Sequence, residues 1–151
     1  MEKHAFNLLI NRGLLPVFVG LFWSGCGLHA AGHADDLAAW HFWTVVHTVV
    51  SLIFAGVVVA HVRGHWGWYR SLKSVGCKGR RRRMVLLLSL VFLLAAVSGL
   101  LLLLCGDGHD PHLGIFHYLL GLLFGVLGLL HLLKRLRTLF GRAKPKVGRS
   151  R

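Results

Sequence analysis

Acidic charge is nearly missing from this sequence: five Asp and Glu stand against 18 Lys and Arg among 151 residues. Lys, Arg, Asp and Glu are absent altogether from residues 37–62, 84–105 and 113–133. A soluble all-helical domain needs a polar face on every helix, and wholly apolar helices have none, so that class is set aside. Intramembrane histidines can relay protons, but carboxylates, which would favour a proton or metal transporter, are absent from every apolar stretch. Cysteine is sparse: Cys26, Cys77 and Cys105. A disulfide between Cys26 and Cys105 is one arrangement, and two small residues packed at helix ends is the other.

Hydrophobic residues make up 55% of the chain, and each apolar stretch is long enough to cross a ~30 Å hydrocarbon core. The expected fold class is an all-α membrane protein, a four-transmembrane-helix bundle with spans at about 5–28, 37–62, 84–105 and 113–133. The first span is the weakest, because Asn7, Asn11 and Arg12 interrupt its start and Pro16 lies in its early part. Trp23 stands where a lipoprotein cleavage site would have a small aliphatic residue before Ser24-Gly25-Cys26, so this span is expected to be retained. Residues 1–142 then form the membrane domain and 143–151 a basic cytoplasmic tail.

The net charge of +13 invites a nucleic-acid reading, but its distribution points elsewhere. Lys3 and Arg12 precede or open the first span, and Arg63, Arg70, Lys73, Lys78 and the four arginines 80–83 lie between the second and third. The remaining basic residues follow the fourth span, from Lys134 to Arg151. The other two loops carry only Asp35, Asp36, Asp107 and Asp110. By the positive-inside rule both termini are cytoplasmic, and the arginine run contacts anionic lipid headgroups rather than nucleic acid. Trp66, Trp68 and Tyr69 read as an interfacial belt on the same side.

The halves of the chain repeat. Ser24-Gly25 late in the first span matches Ser98-Gly99 late in the third, and each is followed by a turn and a helix bearing two histidines. His47 and His61 stand 14 residues apart, as do His117 and His131. Fourteen residues is roughly 21 Å of helix and two heptads, so both members of a pair face one neighbour from opposite ends of the span. Offsets within the two helices also match: Ser51 and Gly121, Phe54 and Phe124, Ala55 and Gly125. The pattern reads as a duplicated two-helix hairpin, with odd spans as scaffold and even spans as ligand carriers.

Intramembrane histidines are costly and need partners. Paired as His47 with His117 near the outer face and His61 with His131 near the inner, the four have the spacing to ligate the iron of two stacked haems. No C-x-x-C-H run occurs, so two non-covalent haem b groups are expected. Thr44, Thr48, Ser51 or backbone carbonyls are candidates to accept the second imidazole proton in the second span; the fourth lacks such hydroxyls, which favours backbone there. Gly13, Gly20 and Gly27 form a stripe suited to close helix packing or to a flat ring. Arg63, Lys134 and Arg135 are available to the inner propionates, and His29, His33, His41, His109 and His112 stand on the outer side. His65 is read as interfacial and is the rival of His61 as inner ligand.

On Ser24-Gly25 with Leu28-His29, His47, the string His61, His65, Trp66 and Trp68, Ser98-Gly99, and His117 with His131, the chain resembles the flavinylation-associated cytochromes. It also resembles the haem-carrying four-helix core of respiratory cytochrome b; the likeness covers about residues 7–137. The resemblance implies electron transfer across a bacterial cytoplasmic (inner) membrane, between membrane quinol or a cytoplasmic donor and a flavin-bearing protein outside. The sequence has no flavin-attachment motif, so the flavin belongs to that partner, and the short outer loops lack the quinol-site elements of full cytochrome b. A haem-free metal or proton transporter and a structural membrane anchor are the alternative readings.

Overall fold

A computed structural model describes residues 2–76, 79–105 and 111–140. Its elements are α1 (Glu2–His33), α2 (Leu37–Gly64), α3 (Trp66–Val75), α4 (Arg80–Cys105) and α5 (Pro111–Phe140). Four of these contain stretches long and apolar enough to cross a membrane: Leu9–His33, Leu37–Gly64, Arg82–Leu104 and His112–Lys134. No more than 11% of the most apolar window of any of them is buried, so most of their Leu, Val and Phe side chains need an apolar solvent around them. That is the condition met in a lipid bilayer, where backbone groups are satisfied within each helix and side chains face hydrocarbon. The protein is an integral membrane protein by this criterion.

The chain divides into two units, residues 1–78 and 79–151, each containing one helical hairpin. In the first, α1 and α2 run antiparallel. The pairs Gly27 with Trp43, Gly25 with His47 and Gly20 with Val50 approach in that order, followed by Phe18 with Phe54 (ring centroids 6.2 Å apart) and Asn11 with His61. In the second, α4 and α5 are likewise antiparallel, with Ser98 against His117 and Phe92 against Phe124 at 5.7 Å. Val91, Leu120 and Leu127 are its buried core, with Met84, Leu88, Ala95 and Phe124 packed on them. Both aromatic pairs are tilted at 45°.

Two boundaries differ from the sequence reading. The outer loop expected after residue 28 is mostly helix: α1 continues to His33, with Ala30 and Ala31 favouring helix and no Pro until well past the turn. The break comes at Asp35, whose φ of 52° places it in the left-handed region, and Asp36 then caps α2 by accepting from the Ala39 N–H at 2.9 Å. At the other end of α2, the aromatic belt is itself a helix, α3, joined to α2 through His65. It ends at Gly76, whose φ of 67° only glycine adopts without cost and whose N–H reaches the Leu72 carbonyl at 2.9 Å. Trp66 stacks on Tyr69 and Trp68 packs edge-on against it, with Arg70 beside them: an amphipathic surface helix of the kind that lies at a headgroup boundary. Pro16 lies inside α1 without ending it.

Candidate metal-ligand histidines

Burial separates the histidines whose side chains are described into two sets. His47, His61, His117 and His131 are half-buried, whereas His29, His33, His41, His65 and His112 are exposed. The half-buried four are the ones that the 14-residue spacing singles out, two on α2 and two on α5.

What holds them comes from the opposite helix of each hairpin. Ser24 is 1% exposed, and its Oγ lies 3.0 Å from His47 Nδ1 and 3.0 Å from the Leu21 carbonyl. A serine hydroxyl has one proton. With that proton on the Leu21 carbonyl, Ser24 accepts from His47 and Nδ1 carries the imidazole proton; a histidine that ligates a metal through Nε2 requires this arrangement. A neutral imidazole protonated at Nδ1 keeps its lone pair on Nε2, the nitrogen that a metal takes.

The second hairpin repeats this arrangement. Ser98, 2% exposed, donates to the Ala95 carbonyl at 3.0 Å, and its Oγ lies 2.9 Å from His117 Nδ1. The two serines are 74 positions apart and the two histidines 70, the same offsets as in the phenylalanine pairs. At the other end of α2, His61 Nδ1 lies 2.8 Å from Asn11 Oδ1, an oxygen that can only accept. The residue 74 positions after Asn11 is Val85, so the amide has no counterpart in α4. Asn11 thus holds His61 as the tautomer with the Nδ1 proton, and Ser24 and Ser98 are placed to hold His47 and His117 in the same form.

Glycines bring the rings against the helices. A Cβ on Gly25 would meet His47 Cε1 at 3.3 Å, and one on Gly99 would meet His117 Cε1 at 2.9 Å. Within the stripe, Gly27 carries Trp43, whose ring atoms would lie 2.6–2.8 Å from an added Cβ, and Gly20 faces Val50 at 3.8 Å. A Cβ on Gly13 would have nothing within 4 Å. Gly20 and Gly27 thus serve close helix packing inside the hairpin, and Gly13 faces open space.

The partners of the imidazoles are not those expected from the sequence. Thr44 donates its hydroxyl to the Trp40 carbonyl at 2.8 Å, the back-bond usual for Thr within a helix, while His47 turns to Ser24. In α5, a hydroxyl acts on His117 after all, supplied by α4. The odd helices are therefore more than scaffold. Asn11, read only as an interruption of the first span, is the acceptor for His61. One signal was available: Ser24 and His47 are equidistant from the turn at Asp35 and Asp36, as partners across an antiparallel hairpin must be.

Comparison with family models, with curated proteins and with solved structures finds no match. Among the described residues, no three His, Cys, Asp or Glu side chains converge on one point as a metal site. Within each hairpin the two histidines stay at opposite ends of one helix. His65 is exposed, its ring 4.7 Å from that of His61, and its N–H goes to the Val62 and His61 carbonyls at 3.0 and 3.2 Å. His29 and His33 meet edge to face at 4.5 Å on the last turn of α1, and His41 packs beside Trp40 at 5.2 Å. Arg63 and Lys134 are exposed, and Cys26 is an exposed free thiol. His109, the side chains of Cys105 and Arg135, and the tail at 143–151 lie outside the described residues, and with them the Cys26–Cys105 disulfide.

Proposed function

We propose that this protein carries electrons across a membrane through two non-covalent b-type haems, His47 and His117 ligating the outer and His61 and His131 the inner. The observation that supports it most is the pair of serine–histidine contacts, Ser24 with His47 and Ser98 with His117. A histidine that ligates a metal characteristically donates its other ring proton to a fixed acceptor, and these do. The donor set fits haem: neutral imidazoles with the lone pair on Nε2, and neither thiolate nor carboxylate beside them.

Bound haem b supplies a one-electron ferric–ferrous couple. The residues of this chain supply the rest. Two histidines at each site would hold a haem and leave oxygen or substrate no place to bind, which would make the role electron transfer and not bond making. Ser24, Ser98 and Asn11 fix the tautomers, and Gly25 and Gly99 let the imidazoles approach the odd helices closely. The corresponding contacts of the two hairpins support a duplicated two-helix unit. The basic residues between the second and third spans and after the fourth support cytoplasmic termini in a bacterial inner membrane. On the family resemblance, the electron donor is membrane quinol or a cytoplasmic reductant, and the acceptor is a flavin-bearing protein outside.

Single replacements test the pairing. His47→Ala and His117→Ala are each expected to lower haem from two per chain to one, and the double variant to lose no more than either alone. A transporter or an anchor would bind no haem to lose. Loss of different haems by the two variants would contradict the outer pair.

A further inference from the structure

Ser24, Ser98 and Asn11, the imidazole partners described above, are chemically unequal. Both members of the outer pair donate to serine hydroxyls, at 3.0 and 2.9 Å, and each hydroxyl is polarised by its own bond to a backbone carbonyl. In the inner pair, His61 donates to an amide oxygen at 2.8 Å, whereas Val85 occupies the matching position in α4. Resting on the haem reading above, we propose that these side chains set the reduction potentials site by site. Ser24 acts on the haem that His47 holds, Ser98 on the haem that His117 holds, and Asn11 on the haem that His61 holds.

The sign follows from the direction of the hydrogen bond. An acceptor on Nδ1–H draws the proton away from the ring and gives the imidazole more anionic character. A more anionic ligand favours ferric over ferrous iron and lowers the potential. Removing an acceptor therefore raises it, and a stronger acceptor lowers it further. Asn11 is the informative position, because Asn11→Leu removes the acceptor while Asn11→Asp replaces it with a carboxylate. The two substitutions are expected to shift the same haem in opposite directions, which a purely packing role would not produce.

The test is a potentiometric titration of the purified full-length protein, resolved into its two optical components, with low-spin electron paramagnetic resonance on the same samples. Ser24→Ala and Ser98→Ala are each expected to shift one and the same component upward, with the double variant shifting it by the sum. Ser24→Thr and Ser98→Thr keep a hydroxyl and are expected to stay near the wild-type potential. Should an alanine variant lose haem, Ser24→Cys and Ser98→Cys, close in size with a weaker acceptor, carry the same comparison. Asn11→Leu is expected to raise the other component and Asn11→Asp to lower it. Two bound haems with unmoved potentials, or equal movement of both components, would overturn the assignment and leave the haem reading intact; serine variants acting on different components would overturn the His47–His117 pairing together with it. A wild-type chain that binds no haem would overturn the haem reading itself, and this assignment with it.

Discussion

Replacing Gly99 by alanine pits a helix-forming gain against a specific steric loss. Inside a helix, Ala is favoured over Gly by about 1 kcal/mol. At Gly99 the new Cβ would stand 2.9 Å from His117 Cε1 and 3.4 Å from Nδ1. An ordinary carbon–carbon contact needs about 3.5 Å, so the ring has to retreat by roughly 0.6 Å. Ser98, the preceding residue, holds the same ring at 2.9 Å. A retreat of that size takes the Ser98 contact to about the limit of a hydrogen bond. Leaving an imidazole N–H unsatisfied in this half-buried site costs at most about 1–3 kcal/mol, so Gly99→Ala is expected to destabilise by up to about 2 kcal/mol.

Gly25→Ala is the matched case. Its Cβ would be 3.3 Å from His47 Cε1, a shortfall of only about 0.2 Å that the ring can absorb. Gly25→Ala is therefore expected to be neutral or stabilising by up to about 1 kcal/mol, as is Gly56→Ala, where the Cβ meets nothing within 4 Å. Thermal unfolding of the three variants in one detergent, followed by circular dichroism, reads the order directly. Gly99→Ala unfolding at or above the temperature of Gly25→Ala would refute the reasoning.

Gly27→Ala is expected to be the most damaging glycine variant, because its Cβ would lie 2.6–2.8 Å from three ring atoms of Trp43. Overpacking of this kind costs about 1–3 kcal/mol, and a shifted tryptophan emission maximum alongside a lower unfolding temperature would register it. The proposed topology predicts that, with Cys26, Cys77 and Cys105 replaced by Ser, Asp35→Cys reacts with a membrane-impermeant maleimide on intact cells. Ser74→Cys is expected to react only after permeabilisation; the reverse pattern would contradict cytoplasmic termini.

The four long helices were legible because hydrophobic length and charge placement are properties of single segments. The spacing of His47, His61, His117 and His131 was legible for the same reason: a fixed interval along one helix needs no knowledge of its neighbours. The imidazole partners were harder to see. Thr44, Thr48 and Ser51 lie one turn or less from His47 along α2, and helical spacing favours them, but the acceptor is 23 positions away on α1. Finding Ser24 requires the register of an antiparallel pair, which is set by the turn at Asp35. Asn11 was obscured by its polarity, since an amide within an apolar stretch reads first as a break in the span. Helix α3 was obscured by its length: 10 residues carry too few turns for its apolar positions to stand out beside the aromatic residues.

The central claim is that the four half-buried histidines are iron ligands, and the most direct measurement is a reduced-minus-oxidised absorption spectrum of the purified full-length chain with haem counted per polypeptide. The account predicts a b-type spectrum and two haems per chain, lost under denaturing extraction because neither is covalently attached. A folded protein purified from haem-replete cells that shows no b-type spectrum would contradict it.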